Sequence, residues 1–203
     1  MASPFRLLLA GRMAPYRNLS SHELDLLEFH YELMSHWNRR MGLTSIRKLE
    51  EIIERHFCES LFTAAELPEQ NARVADVGSG PGFPGIPIAI LRSDLEVVLI
   101  EANQKKAVFL REATRALGNV RVLPVRAESI HGETFDRIVA RAVRPEEVLH
   151  LLPLISSKVA LLIGDEDVRK LTGRQTMQWD VPVRLPWGDR RTLLMGRWCS
   201  KSD

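Results

Sequence analysis

The stretch most suited to chemistry is Val74-Ala75-Asp76-Val77-Gly78-Ser79-Gly80-Pro81-Gly82-Phe83-Pro84-Gly85, an apolar run carrying an acid and opening into a glycine-rich loop. Glycines at 78, 80 and 82 permit positive φ and let bare backbone approach a ligand, while a helix beginning just after them aims free N–H groups at it. Pro84 suits a first helical position, since it lacks only a hydrogen that would be unpaired there. A nucleotide-type ligand is expected at this loop. Two templates share the glycines: Gly78-x-Gly80-x-Gly82, common among S-adenosylmethionine-dependent methyltransferases, and Gly80-x-Gly82-x-x-Gly85, the dinucleotide fingerprint. Both ligands carry an adenosine, and both call for an acid at the end of the second strand to accept from ribose hydroxyls. Glu101 stands at that distance. Spacing leaves both templates open, along with a tight turn that binds nothing. Asp76 favours a net cationic ligand, because a carboxylate just ahead of the loop repels a pyrophosphate, and Pro81 and Pro84 remove two backbone donors.

The elements around this loop follow from hydrophobic period. Leu24, Leu27, Tyr31 and Met34 recur at helical spacing between acidic residues, and Ser20-Ser21-His22-Glu23 has the form of a capping box, so a helix starts near Ser20. A second helix is expected over Leu49–Leu67, closed by Pro68. From Arg73 the pattern changes to short apolar runs at 73–77, 96–100, 120–125, 135–139 and 158–163, alternating with helix-compatible stretches at 84–92, 103–117, 145–152 and 166–172. The class is α/β: a doubly wound Rossmann-like sheet over 71–203, with a helical extension over 1–70 packed on its core. The tail from Thr176 to Trp198 reads as an antiparallel hairpin turning at Pro186–Asp189 on the sheet edge.

Composition excludes several other classes. With 203 residues, 45% apolar and 27% charged, the chain is neither disordered nor fibrous. Its two cysteines, Cys58 and Cys199, form no CxxC pair, and none of the six histidines shows metal-ligand spacing, so neither a disulfide scaffold nor a metal site is expected. The Leu7-Leu8-Leu9 run near the start is too short for a signal-peptide core or a membrane span, which points to a cytoplasmic protein with no membrane partner. The net charge of +2 announces no polyanion by itself, although residues 167–203 carry +4 and residues 71–130 carry +2.

Taken together, the residues resemble a specific family, the RsmG (GidB) methyltransferases that modify guanine N7 of small-subunit (16S) ribosomal RNA. The likeness rests on an ordered set: His36-Trp37-Asn38, Leu43-Thr44-Ser45, Arg55-His56 with Glu59-Ser60-Leu61, and Asp76 through Pro87. It continues with Lys105-Lys106 and Phe109-Leu110, Arg126-Ala127-Glu128, and Ala140-Arg141-Ala142. The set spans residues 36 to about 144.

The resemblance implies a class I methyltransferase fold using S-adenosylmethionine. In it Gly78 and Phe83 line the cofactor pocket, Glu101, Ala102 and Asn103 hold the ribose region, and Ala127 and Glu128 border the adenine. Arg141 looks like a pocket residue of the family. Asp76, Gly80 and Gly82 join the cofactor set through the loop itself. The implied partner is small-subunit ribosomal RNA, naked or in the assembled subunit, met by a monomer through Lys105, Lys106, Arg141 and Arg144; Arg111 and Arg115 are expected to be solvated helix face. Guanine N7 has an exposed lone pair and no proton to lose, so no catalytic acid or base is assigned. His56, Glu59 and Ser60 are expected to form a buried polar cluster against the loop. Glu101 departs from the family's aspartate and reaches further, Gly42 stands where asparagine is usual, and Ile163 precedes Gly164 where lysine is common. The alternatives are a nicotinamide-dependent oxidoreductase and a non-catalytic RNA-binding module on the same fold.

Overall fold

The computed structural model describes residues 2–173, 176–188 and 190–199. Five parallel strands follow the apolar runs: β1 (Arg73–Val77), β2 (Glu96–Ile100), β3 (Val120–Leu123), β4 (Arg137–Arg141) and β5 (Lys158–Gly164). Three more, β6 (Met177–Trp179), β7 (Val183–Arg184) and β8 (Arg191–Trp198), pair antiparallel at one side. The order is β3-β2-β1-β4-β5-β8-β6, with β7 on β8. The expected hairpin is therefore present as β7 and β8, although Asp189 in its turn lies outside the described residues. The fourth strand begins two residues later than the apolar run suggested. Phe135 and Asp136 bond outward to Ile155 and Arg73, and the ladder to β1 opens at Arg137 opposite Val74.

The sheet is buried on both faces, as a parallel sheet requires. Val74, Val97, Leu99, Val139, Ala160 and Leu162 face one hydrophobic cluster; Ala75, Val98, Ile100, Ile138, Ala140 and Leu161 face the other. Helices α5 (Gly85–Leu91), α6 (Gln104–Ala113) and α7 (Pro145–Leu149) lie in the β1–β2, β2–β3 and β4–β5 crossovers, and α8 (Asp165–Thr172) leads from β5 into the antiparallel strands.

The first cluster also holds Phe5, Leu9, Leu27, Met34, Phe57 and Leu61, so the N-terminal helices share the sheet's core. Helix α1 (Pro4–Met13) had no counterpart in the periodicity reading; Ser3 caps it, accepting from the Arg6 amide, and Pro4 sits in its first turn. Helix α2 (Ser21–Met41) starts at the expected capping box, in which Ser20 and Glu23 each accept from the other's amide. It ends at Gly42 in the left-handed conformation. The helix expected over 49–67 is present as α3 (Leu49–Ile52) and α4 (Glu59–Glu66), joined by a π-helical stretch, Ile53–Cys58. That wide turn carries Arg55 and His56 toward the carboxyl end of the sheet. A buried pair fixes the opposite end: Glu69 accepts from Arg137 at 2.7 Å, with both side chains 6% exposed.

Candidate functional site

In an open parallel sheet, ligands bind beyond the carboxyl ends of the strands where the order reverses. Here the reversal lies between β1, which continues to β2, and β4 on its other side. Gly78 follows β1 and Arg141 ends β4. Two chambers open at this point and share Gly78 as a wall.

The smaller chamber, about 180 Å³, is bounded by Gly78, Glu101, Ala102, Ala127, Glu128 and Glu147 among others. It carries three carboxylates against one guanidinium, Arg126. The larger, about 390 Å³, takes its charge from Arg55, Lys106, Arg141 and Arg191, with no aspartate or glutamate in its lining. Gly80, Phe83 and His56 lie in its wall. The two spaces are thus of opposite sign and meet at a residue with no side chain. A Cβ on Gly78, whose φ is +71°, would stand 2.6 Å from Val143 Cγ2. Val143 therefore packs directly on the Gly78 backbone, with no space there for a side chain.

The loop corrects one expectation from the sequence, free amides aimed at the ligand. The Gly78 and Ser79 amides donate to the Ile100 carbonyl, the Gly80 amide to Glu101, and the Gly82 and Phe83 amides to the Ser79 carbonyl. The Gly85 amide donates to Asp76. The loop therefore presents bare Cα atoms and carbonyl oxygens rather than a nest of donors, which is wrong for a pyrophosphate and removes the physical basis of the dinucleotide template.

Glu101 bridges the site: one carboxylate oxygen accepts from the Gly80 amide at 2.9 Å and the other from the Asn103 amide at 2.7 Å. Each oxygen keeps a lone pair for another donor. Asp76 sits beneath the loop, fully buried and outside both linings, with Oδ2 accepting from Gly85 at 3.0 Å and Oδ1 unpartnered. Burial pushes its carboxyl up to about 7.

Phe83 is held between two histidines. The rings of His30 and His56 each stack on it at 4.7 Å, and the Arg141 guanidinium lies 5.2 Å from its centroid. His56 shares a hydrogen bond with Thr44 Oγ1 at 2.9 Å, and His30 donates through Nε2 to the Pro81 carbonyl at 2.8 Å. Burial lowers both imidazoles, to about 2 and about 4, so both are neutral. Of the expected polar cluster, His56, Glu59 and Ser60 are all buried, but no side chain of the three bonds to another's side chain. Ser60 donates to the His56 carbonyl, and the fully buried Glu59 pairs with Arg191, a partner 132 residues away with no local signal in the sequence. Arg141 donates to the Arg55 carbonyl and carries a buried, unpartnered Nε.

Not every expected residue reaches the chambers. Gly82 lies behind the loop against Ile86. Asn103 caps α6, accepting from the Lys105 and Lys106 amides, and among the expected basic residues only Lys106 and Arg141 line the larger chamber. Lys105 is exposed beside it, and Arg144 is exposed and paired with Glu147. The missed residues are Arg55 and the Leu43-Thr44-Ser45 segment, which are legible as motif but not as site, together with Ile46 and Arg191.

A sulfonium donor bearing adenosine fits this arrangement. Its ribose hydroxyls would find acceptor oxygens on Glu101, and Gly78, which lines both chambers, puts no side chain between them. Comparison with known proteins gives the fold and the family. The fold resembles an S-adenosylmethionine-dependent methyltransferase of Aquifex aeolicus (TM-score 0.58, 17% identity, 73% of this chain and 93% of that one). It also resembles a ribosomal protein L11 methylase of Lactobacillus delbrueckii subsp. bulgaricus (TM-score 0.55, 19% identity, 70% and 79%). In sequence the chain is 38% identical to a ribosomal RNA small subunit methyltransferase G of Roseiflexus sp. over 78% of this chain and 76% of that protein. It is 37% identical to its namesake in Halorhodospira halophila over 79% and 74%. The model of the GidB family, rRNA small subunit methyltransferase G, matches residues 23–164. The chain belongs to the rRNA small subunit methyltransferase G family.

Proposed function

We propose that this protein transfers the methyl group of S-adenosylmethionine to N7 of a guanine in small-subunit ribosomal RNA, with the adenosine in the acidic chamber and the guanine in the basic one. The observation that carries the reading is the meeting of the two chambers at Gly78, one lined by carboxylates and the other by four cations.

When bound, S-adenosylmethionine supplies an electrophilic methyl on a sulfonium sulfur. Glu101 would accept from its ribose hydroxyls, Ala102 and Asn103 would shape that end, and Ala127 and Glu128 would border its adenine. Gly78, in the wall of both chambers, would put no side chain between donor and acceptor. Gly80 and Phe83 wall the acceptor side, and Asp76 braces the loop through Gly85. N7 attacks with a lone pair it already exposes, so no side chain takes a proton and alignment carries the rate. Arg141, which lies over Phe83 and donates to the Arg55 carbonyl, would orient the guanine through O6 rather than N7, where the product's positive charge would repel it. Lys105, Lys106 and Arg144 add positive surface toward the RNA backbone. We read the protein as a monomer acting in the cytoplasm; no helix among the described residues is long and apolar enough to cross a membrane.

The test is incubation of the purified protein with methyl-labelled S-adenosylmethionine and small-subunit RNA, naked or assembled, followed by nucleoside mass spectrometry. Label in 7-methylguanosine is the expected result. Label on another nucleoside, or none while the donor binds, overturns the acceptor assignment.

A further inference from the structure

The four cations of the larger chamber come from four separate parts of the fold: Arg55 from the π-helical turn, Lys106 from α6, Arg141 from the end of β4 and Arg191 from the start of β8. Bringing like charges together is unfavourable unless something negative belongs among them. Beyond burial, Arg191 and Arg55 both act to lower the Arg141 guanidinium, which places all three within electrostatic reach. Among the described residues, neither Lys106 nor Arg141 has a carboxylate within ion-pair distance, and Arg55 has only the exposed Glu51 at 3.3 Å. Glu59 and Asp76 both bring negative charge toward this group from inside the fold, and of the two only Glu59 forms an ion pair with one of its cations, Arg191.

That engagement is one-sided. Arg191 donates through Nε at 3.2 Å and Nη2 at 2.9 Å to the two oxygens of Glu59, which is completely buried. One edge of the planar guanidinium is thereby fixed, and its Nη1 edge has no partner among the described residues. The β5–β8 register sets Arg191 opposite Gly164, where β5 ends at the ligand-binding side of the sheet. A guanidinium locked along one edge and open along the other is a preorganised receptor for an oxyanion.

We propose that Arg191, held by Glu59, binds a phosphodiester of the RNA next to the target guanosine, and so makes the antiparallel strand β8 part of the substrate site. The inference rests on the function proposed above. The same oxyanion chemistry exists in the carboxylate of the methionine moiety, and the test separates the two sources.

Removing Arg191 alone would strand the buried Glu59 charge, so the informative comparison is Glu59→Gln against Glu59→Gln with Arg191→Gln, both checked by thermal unfolding. Affinity for a small-subunit RNA fragment is measured across salt concentrations, together with affinities for S-adenosylhomocysteine and for methylthioadenosine, which lacks the carboxylate. The expected result is RNA binding about tenfold weaker in the double variant, with a log–log salt slope shallower by about 0.7, the value of one single-strand phosphate contact, and unchanged affinity for both small ligands. Equal RNA affinities and slopes overturn the assignment. So does weaker binding of S-adenosylhomocysteine with methylthioadenosine unaffected, which would give Arg191 to the donor's carboxylate. If the wild-type protein does not methylate the RNA, the functional reading falls and this inference with it; if it does, only the role of Arg191 is at stake.

Discussion

Asp76 Oδ2 accepts the Gly85 amide at 3.0 Å, tying the last turn of β1 to the first residue of α5 across the whole glycine loop. A Cβ on Gly85 would lie 2.6 Å from that same oxygen, so the approach depends on glycine. The loop is thus shaped from beneath, by a carboxyl that touches no chamber.

The first prediction concerns that carboxyl. Burial raises Asp76 from 3.8 to about 7, so the folded state binds its proton more tightly than the unfolded chain does. The resulting stabilisation is complete below the unfolded value and is lost as pH rises through about 7. Relative to wild type, Asp76→Asn should therefore gain stability as pH is raised from about 5.5 to 8.5, because its amide never ionises. Thermal unfolding of both proteins across that range checks this, and a difference that stays constant contradicts it.

Adding a side chain at Gly78, in the wall both chambers share, should be costly. Gly78→Ala places a methyl against Val143 at a left-handed φ, and we expect about 1–2 kcal/mol of lost stability with at least tenfold weaker S-adenosylhomocysteine binding. Calorimetric titration reads the affinity; an unchanged value would mean that the donor does not cross at Gly78.

Glu101 should matter for the donor more than for the RNA. Glu101→Ala removes the ribose acceptor and the brace on the Gly80 and Asn103 amides. A loss of about 10- to 100-fold in S-adenosylhomocysteine affinity is expected, from two charge-assisted hydrogen bonds. RNA affinity measured without donor should hold within about twofold, and a parallel fall in both would place Glu101 elsewhere in the mechanism.

Far from the site, Glu69→Ala leaves Arg137 buried without its counter-charge, and a loss of about 3–5 kcal/mol in unfolding free energy is expected. Replacing Glu69 and Arg137 together by methionine should recover most of it. Denaturant titrations of the two variants decide the matter, and a mild single variant would show that water reaches the pair.

The legible part of the molecule was whatever repeats locally. Five parallel strands, the Ser20 capping box, the glycine loop and the acid at Glu101 each leave a mark within a few residues, and each stands within two residues of where that mark puts it. Helix α1 also carried a signal, Ser3 before Pro4, but its three leucines were weighed as a targeting segment and not as a buried stripe. Other features had no local mark. A π turn at Ile53–Cys58 has no sequence period of its own, yet it aims Arg55 and His56 at the chamber. Arg191 meets Glu59 only because β8 returns beside β5. The loop amides looked free in the sequence because their acceptors, the Ile100 and Ser79 carbonyls and the Asp76 and Glu101 carboxylates, are set by the folded sheet and turn.

The division of labour between the chambers is tested most directly by a crystal structure of the protein with S-adenosylhomocysteine. The account predicts adenine against Ala127 and Glu128, ribose hydroxyls on Glu101, and sulfur at Gly78 facing the space lined by Arg55, Arg141 and Arg191. Adenine lodged among those arginines instead, with the carboxylate-lined chamber empty, would contradict it.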